Sequence, residues 1–152
     1  MANTIEELGF ELTFSALAEQ ERAVAGLRAR AGTVLAAASI AGSFFGAKTV
    51  SHASLGAWGI LAMVCFALCV GAAIWILLPH AFVFAFHGEE LLAESDHRGV
   101  SNVTEAYRTA GIWIEPQLQA NGRKIVELSD WLAVSCTLLA AEVILWTISL
   151  IG

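Results

Sequence analysis

The chain has 152 residues, of which 57% are hydrophobic and only 14% are charged, and its mean hydropathy is +0.69. Soluble domains carry roughly 25% charged residues, so this composition is typical of an integral membrane protein. The formal net charge of −6, with only 8 basic residues, argues against nucleic acid as a partner, because no dense basic patch is available to follow phosphates.

The first predicted element is an amphipathic cytosolic helix over residues 1–30. Its apolar residues recur at helical spacing and form one stripe, which consists of Phe10, Phe14, Leu17, Val24 and Leu27. No proline separates this helix from the first predicted span, so both can belong to one helix of about 45 residues, on the order of 70 Å long. Gly26 and Gly32 are the positions where such a helix could bend.

Residues 31–78 are predicted to form a two-span transmembrane hairpin. The stretch from Ala31 to Val50 is weakly hydrophobic and rich in small residues, whereas the stretch from Leu55 to Leu78 is strongly hydrophobic and ends at Pro79. Residues 131–152 form the third predicted span. Each stretch supplies the ~20 residues that a helix needs to cross a hydrocarbon core about 30 Å thick.

Residues 79–130 are predicted to form a cytosolic helical region between the second and third spans. A second amphipathic stripe consists of Val103, Tyr107, Ala110, Ile114 and Leu118. Pro116 and the Asn121-Gly122 pair predict a kink or a break before the chain enters the membrane again. The expected fold class is therefore all-α: an integral membrane protein with three transmembrane helices, a hairpin plus a third span, and long amphipathic cytosolic helices.

Basic residues set the expected orientation. They precede the first and third spans, as Arg22, Arg28, Arg30, Arg123 and Lys124. The loop between spans one and two offers only Lys48. By the positive-inside rule, this distribution predicts a cytoplasmic N-terminus and a C-terminus outside.

No pattern predicts an enzyme, a cofactor or a metal site. The sequence contains no G-x-S-x-G motif, no P-loop and no Rossmann glycine pattern. His80 and His87 are seven residues apart and would share a helix face, but a third ligand is missing, so an interfacial or structural role is expected. Cys65, Cys69 and Cys136 all lie in apolar runs and are expected to be packing residues.

One carboxylate, that of Glu142, lies near the middle of the third span. Counting from Trp131 at 1.5 Å per residue places it about 16 Å deep, where an ionised side chain costs at least about 2.5 kcal/mol. By the same count Ser39 and Ser43 of span one lie at its level and could form hydrogen bonds with it. Two hypotheses stay open: a protonated, hydrogen-bonded acid that holds helices together, or a ring of acids from several copies that lines a cation-permeable path.

Span one also carries a face of small residues that lets another helix approach closely. Gly42 and Gly46 form a G-x-x-x-G motif, and Gly32 and Ala36 extend this face. The face predicts helix association. Its partner is either span two of the same chain or a helix of another copy.

The stretch ERAVAGLRARAGTVLAAASIAGSFFGA, residues 21–47, resembles the first-span region of small bacterial conflict-system membrane effectors, the SLATT and Pycsar transmembrane groups. Those families also run an amphipathic cytosolic helix into a small-residue span and follow it with a second span. The resemblance implies an effector of the bacterial inner membrane that oligomerises and breaches the bilayer when a cytosolic sensor protein or a nucleotide second messenger triggers it. The third span distinguishes this chain from that layout.

Together these observations predict an oligomeric, pore-forming or membrane-disrupting membrane protein, and the resemblance implies that it acts in the bacterial inner membrane in antiphage defence. Its partners would be the lipid bilayer and further copies of the same chain. The alternative is a non-conducting membrane scaffold or small subunit that docks a partner through its cytosolic helices. In that case Glu142 would be a purely structural acid.

Overall fold

The computed structural model describes residues 5–50, 56–82 and 103–151, and within these ranges the regular structure is α-helix, without a strand. Helix α1 covers Ile5–Val50, α2 covers Ala57–Leu77 and α3 covers Val103–Ile151. Each contains a stretch long and apolar enough to cross a membrane: Glu7–Phe45, Ala57–Leu77 and Thr104–Ile151. The all-α prediction is confirmed, and the three candidate spans fit a multi-pass membrane protein.

Helix α1 is one element of 46 residues, so the amphipathic stripe and the first span belong to the same helix. Its best-buried residues recur every seven positions, as Leu17, Val24, Ala31 and Ala38. A seven-residue repeat of buried positions is typical of helices that pack nearly parallel with knobs-into-holes contacts. The small size of Ala31 and Ala38 lets neighbouring helices approach α1 closely in that part of the chain.

Helix α2 ends where Pro79 was predicted to end it. Leu78 adopts an extended conformation, with φ −57° and ψ 146°, and its N–H donates to the carbonyl of Ile74 at 3.0 Å. The residue before a proline avoids the helical region because the proline ring clashes with it, so the helix stops at Leu77. The best-buried residues of α2 again include a seven-residue series, Ala62, Cys69 and Ile76.

Of the predicted kink or break in the last helix, the break is wrong, because α3 runs for 49 residues through Pro116 and through the Asn121-Gly122 pair. A kink at these residues stays a prediction. Pro116 cannot donate to the carbonyl of Ile112, but both residues are exposed, so water can satisfy that carbonyl. At the second site, Gly122 leaves room for the side chain of Gln20, whose Nε2 donates to the carbonyl of Leu118 at 2.9 Å. Packing against α1 therefore overrides the local turn preference.

The chain divides into two compact units. The first unit comprises Met1–Val24 and His80–Val126, and in its described part α1 and α3 run parallel. The rings of Phe10 and Tyr107 are 5.4 Å apart, and further along both helices Gln20 bonds to Leu118. Near the end of this unit the Lys124 ammonium donates to the carbonyl of Ala81 and lies 5.6 Å from the ring centre of Phe82.

The second unit comprises Ala25–Pro79 and Glu127–Gly152, the parts of the chain that hold the most apolar sequence. Its core cluster consists of Val34 and Ala38 of α1 and Cys69 of α2, and four partly buried side chains pack against them: Phe66, Leu132, Leu138 and Leu139. The predicted divisions at residues 30/31, 78/79 and 130/131 concern the position of the bilayer, and they stay predictions.

Candidate functional site

Glu142 occupies a core position of the second unit. The best-buried residues of α3 include a seven-residue series, Ile114, Asn121, Leu128, Ser135 and Glu142. The side chain of Glu142 has no exposed surface, although it carries an acid. Glu142 therefore points into the packed interior of the second unit and away from the outer face of α3.

The carboxyl group of Glu142 has no hydrogen-bond partner on either oxygen among the described residues. The indole Nε1 of Trp146, one helical turn later, is also buried and also lacks a partner. The indole lies beside the carboxyl group, but the two groups do not meet the geometry of a hydrogen bond. An unmade hydrogen bond at a buried polar group costs about 1–3 kcal/mol, and more for a charged group. The buried carboxyl group of Glu142 therefore lowers the stability of this packing.

Aromatic rings cover the site on the side of α1. The ring of Trp146 stacks on Phe45, with centroids 6.0 Å apart and planes 10° apart. Phe45 in turn makes an edge contact with Phe44, at 5.4 Å and 86°. Trp146 is completely buried, so this stack closes off the interior next to Glu142.

The two serines predicted near Glu142 do not bond to it. Ser39 and Ser43 are exposed on α1, where the hydroxyl of Ser39 donates to the carbonyl of Leu35 at 2.8 Å. The hydroxyl of Ser43 donates to the carbonyl of Ser39 at 2.7 Å. Each hydroxyl thus bonds to its own helix one turn earlier, which is common for serine in apolar helices. Their role as polar residues of a pathway stays a prediction.

A polar contact that the sequence did not reveal joins α2 and α3 in this unit. The Oγ of Ser135 donates to the carbonyl of Cys69 at 3.2 Å, and the Sγ of Cys69 donates to the carbonyl of Ser135 at 3.3 Å. Both residues are completely buried and belong to the seven-residue series of their helices. Cys69 follows the buried Ala62 by seven residues, and Ser135 follows the buried Leu128 by seven residues. This spacing is the sequence signal that could have predicted the pair.

The small residues of span one have different environments. Gly42 packs against span two, since a Cβ placed on it would lie 3.2 Å from the ring of Phe66. Gly32 is half-buried with nothing within 4 Å of such a Cβ, and Ala36 is exposed. Gly46 lies in α1, but its surroundings are outside the described residues. Gly42 thus serves intrachain packing, whereas Gly32 and Ala36 leave room for another helix.

No metal centre can be assembled from the described residues, because no three His, Cys, Asp or Glu side chains lie together in them. His80 is half-buried at the end of α2, and His87 lies outside the described residues. The cysteines Cys65, Cys69 and Cys136 are free thiols. Among the residues that the structure describes, Glu142 is the one acid that is fully buried, and the indole of Trp146 is its polar neighbour.

Comparisons with known proteins find no family model, no curated protein and no solved structure that matches this chain. A functional hypothesis must therefore start from the chain's own residues. Among them, Glu142 has the environment that is hardest to explain by packing alone.

Proposed function

We propose that this chain is a multi-pass protein of the bacterial inner membrane that assembles into a cation-permeable, membrane-disrupting pore. The N-terminus would lie in the cytoplasm and the C-terminus outside, because the basic residues that flank the first and third spans favour that orientation. The packing of the second unit would then be that of a closed protomer. A role as an effector of antiphage defence is supported by the resemblance of residues 21–47.

The observation that carries this proposal is the buried, unpartnered carboxyl group of Glu142. An acid whose only task was to hold helices together would form hydrogen bonds across them, as Ser135 does with Cys69. Glu142 makes no such bond, so it lowers the stability of the resting unit instead of raising it. A residue of this kind is explained by a second arrangement of the helices in which it meets partners or water.

In the open state, Glu142 would leave the interior of its own protomer and line a path between several copies. Rings of carboxylates favour the passage of cations, and one acid per chain requires an oligomer to form a ring. Opening would require α3 to turn or shift against α1 and α2. The contacts that oppose this motion are the bonds between Cys69 and Ser135 and the stack of Phe45 on Trp146.

The first unit would receive the signal in the cytosol. A sensor protein or a nucleotide second messenger is the trigger that the resemblance suggests. Because α1 and α3 each continue from the first unit into the second, a change in how they pack in the first unit can bias the packing around Glu142. No membrane crossing is needed for the trigger in this scheme.

The second candidate function is a non-conducting scaffold that docks a partner through its cytosolic helices. It is favoured by the exposed apolar side chains of the first unit, such as Leu8, Leu12 and Ile112. Under this hypothesis Glu142 would have no role in transport, and its replacement would leave membrane permeability unchanged.

Expression in bacteria with a membrane-potential dye tests the proposal, together with size determination of the purified chain in nanodiscs. We expect growth arrest with depolarisation, and particles that contain several copies. Glu142→Gln should abolish the depolarisation, whereas Glu127→Gln, which changes an exposed acid of the same helix, should retain it. A strictly monomeric particle, or full depolarisation by the Glu142→Gln chain, would rule out an acid-lined pore.

A further inference from the structure

An open groove lies between α1 and α3 in the first unit, with a volume of about 460 Å³. The aromatic rings of Phe10 and Tyr107 line it, together with Pro116. Gly9 and Gly111 keep it open, since a Cβ placed on either would meet no atom within 4 Å. The groove therefore has an apolar lining and room for side chains from another helix.

The outer face of α1 in the same unit carries an apolar edge that nothing in the described part of the chain covers. It consists of Ile5, Leu8 and Leu12, which are 85%, 49% and 60% exposed. At 3.6 residues per turn, Leu8 lies on the face opposite the buried Leu17. A cluster of exposed apolar residues outside the membrane marks an interaction surface, whereas single exposed residues do not.

Charges beside the groove and beside the apolar edge are complementary. Two charged residues line the groove, and both are exposed: Glu115 accepts a hydrogen bond from Gln119 Nε2 at 3.2 Å, whereas Arg108 makes no hydrogen bond or ion pair with a described residue and is the charge left for a partner. Glu11 and Glu19 flank the apolar edge, are exposed, and are likewise without partners among the described residues. Complementary charges of this kind set the register of an interface more than its affinity.

We propose that the apolar edge of α1 in one copy docks into the groove of the next copy, with Glu11 facing Arg108. This inference rests on the proposed function and names the contact that builds the oligomer. Copies in a membrane share one orientation, so they repeat by rotation about the membrane normal. A contact between two different surfaces of the same chain closes into a ring when the rotation from copy to copy divides a full turn, and a pore requires such a ring.

Filling the groove tests the proposal. Gly111→Leu places a bulky side chain in the groove, and Gly111→Ala is the matched control, because both replacements raise helix propensity and neither Cβ meets an atom within 4 Å. The oligomer mass of the full-length chain is measured by native mass spectrometry in nanodiscs. We expect Gly111→Ala to keep the oligomer and Gly111→Leu to reduce its population about tenfold, the change that about 1.4 kcal/mol of lost association free energy produces.

Cross-linking between differently tagged copies gives the second test. A Leu12→Cys chain mixed with an Ile112→Cys chain should form a disulfide between the two tags, whereas two Leu12→Cys chains should not. The unsubstituted chain is the control for the native cysteines, which all belong to the second unit. Arg108→Glu should lower the yield of the mixed cross-link, and Glu11→Arg on the other chain should restore it.

The outcomes separate this inference from the pore itself. If the chain depolarises cells and is oligomeric, but Gly111→Leu leaves its mass unchanged, the docking contact is wrong and the pore stands. Cross-links between two Leu12→Cys chains alone would likewise overturn it, because they indicate a symmetric pairing of α1 edges. A mixed cross-link in a chain that does not depolarise cells would support the contact and reject the pore.

Discussion

Cys69 and Ser135 exchange hydrogen bonds with each other's backbone across the interface of α2 and α3. Each side chain donates to the carbonyl of the other residue, at 3.3 and 3.2 Å, and the two side-chain heteroatoms lie 3.5 Å apart. A pair of bonds in both directions fixes the position of one helix along the other. In an apolar unit, where most contacts are non-directional, this pair sets the register of α2 against α3.

Ser135→Ala should therefore destabilise the protomer and increase leakage. Loss of a hydrogen bond between helices of a membrane protein costs about 0.6 kcal/mol on average and up to about 1.7 kcal/mol. The measurement is thermal unfolding in detergent, together with the basal signal of a membrane-potential dye. Thr137→Ala is the control, because its exposed hydroxyl bonds to the carbonyl of Ala133 in its own helix. Equal effects of the two substitutions would contradict a register-setting role.

A substitution at Gly42 should disturb the protomer itself. A Cβ there would lie 3.2 Å from Cε2 of Phe66, so Gly42→Leu forces this ring of α2 to move and should cost about 1–3 kcal/mol of stability. Gly32→Leu is the matched change in the same span, where no atom lies within 4 Å, and it should leave the stability of the protomer nearly unchanged. The free energy of unfolding of each chain is compared in detergent.

Replacing Phe66, which faces Gly42, by a smaller residue tests whether a clash with this ring causes the loss of stability. Phe66→Ala should recover part of the stability lost in Gly42→Leu, since the double variant removes the clash. If Gly32→Leu destabilises the protomer as much as Gly42→Leu does, then Phe66 is not the reason. In that case the small face of span one would pack in another way.

Glu142→Leu should raise stability and abolish conduction in the same chain. Leucine removes a buried polar group that has no partner, which should stabilise the resting unit by about 1–3 kcal/mol. The same change removes the only carboxylate at that depth of the third span, so a cation path would lose its charged ring. Melting temperature and depolarisation are measured on parallel preparations. If the Glu142→Leu chain is more stable but still depolarises cells, then Glu142 does not line the conducting path.

The helices were largely predictable from the sequence, because their apolar residues recur with the period of an α-helix. The stripes of α1 and α3 were visible at helical spacing, and Pro79 marked the end of α2. The error concerned Pro116 and the Asn121-Gly122 pair, where local turn preference was allowed to outweigh the surrounding pattern. A long helix tolerates such residues when the proline is exposed and the glycine accommodates a neighbour, here the side chain of Gln20.

The same error hid the environment of Glu142. The buried series from Ile114 through Leu128 continues at seven-residue spacing to Ser135 and Glu142, and it would have placed the acid inside the protomer. Counting residues along the third span estimates depth in the bilayer, but it does not indicate which face of α3 carries a residue. The contacts of Ser39 and Ser43 were equally out of reach, because hydroxyls in apolar helices bond readily to their own backbone.

The stack of Phe45 on Trp146 should couple α1 to α3 energetically next to Glu142. Aromatic pairs contribute about 0.5–1.5 kcal/mol beyond the area that they bury, so a double-mutant cycle of Phe45→Leu and Trp146→Leu should give a coupling of that size. Ile40 of α1 is the control, because it is 71% exposed, and a cycle of Ile40→Ala with Trp146→Leu should give a coupling close to zero. If the stack helps to keep Glu142 enclosed, Phe45→Leu should also increase basal depolarisation, whereas Ile40→Ala should not. Additive effects in the Phe45 cycle would show that the rings touch without stabilising the closed arrangement.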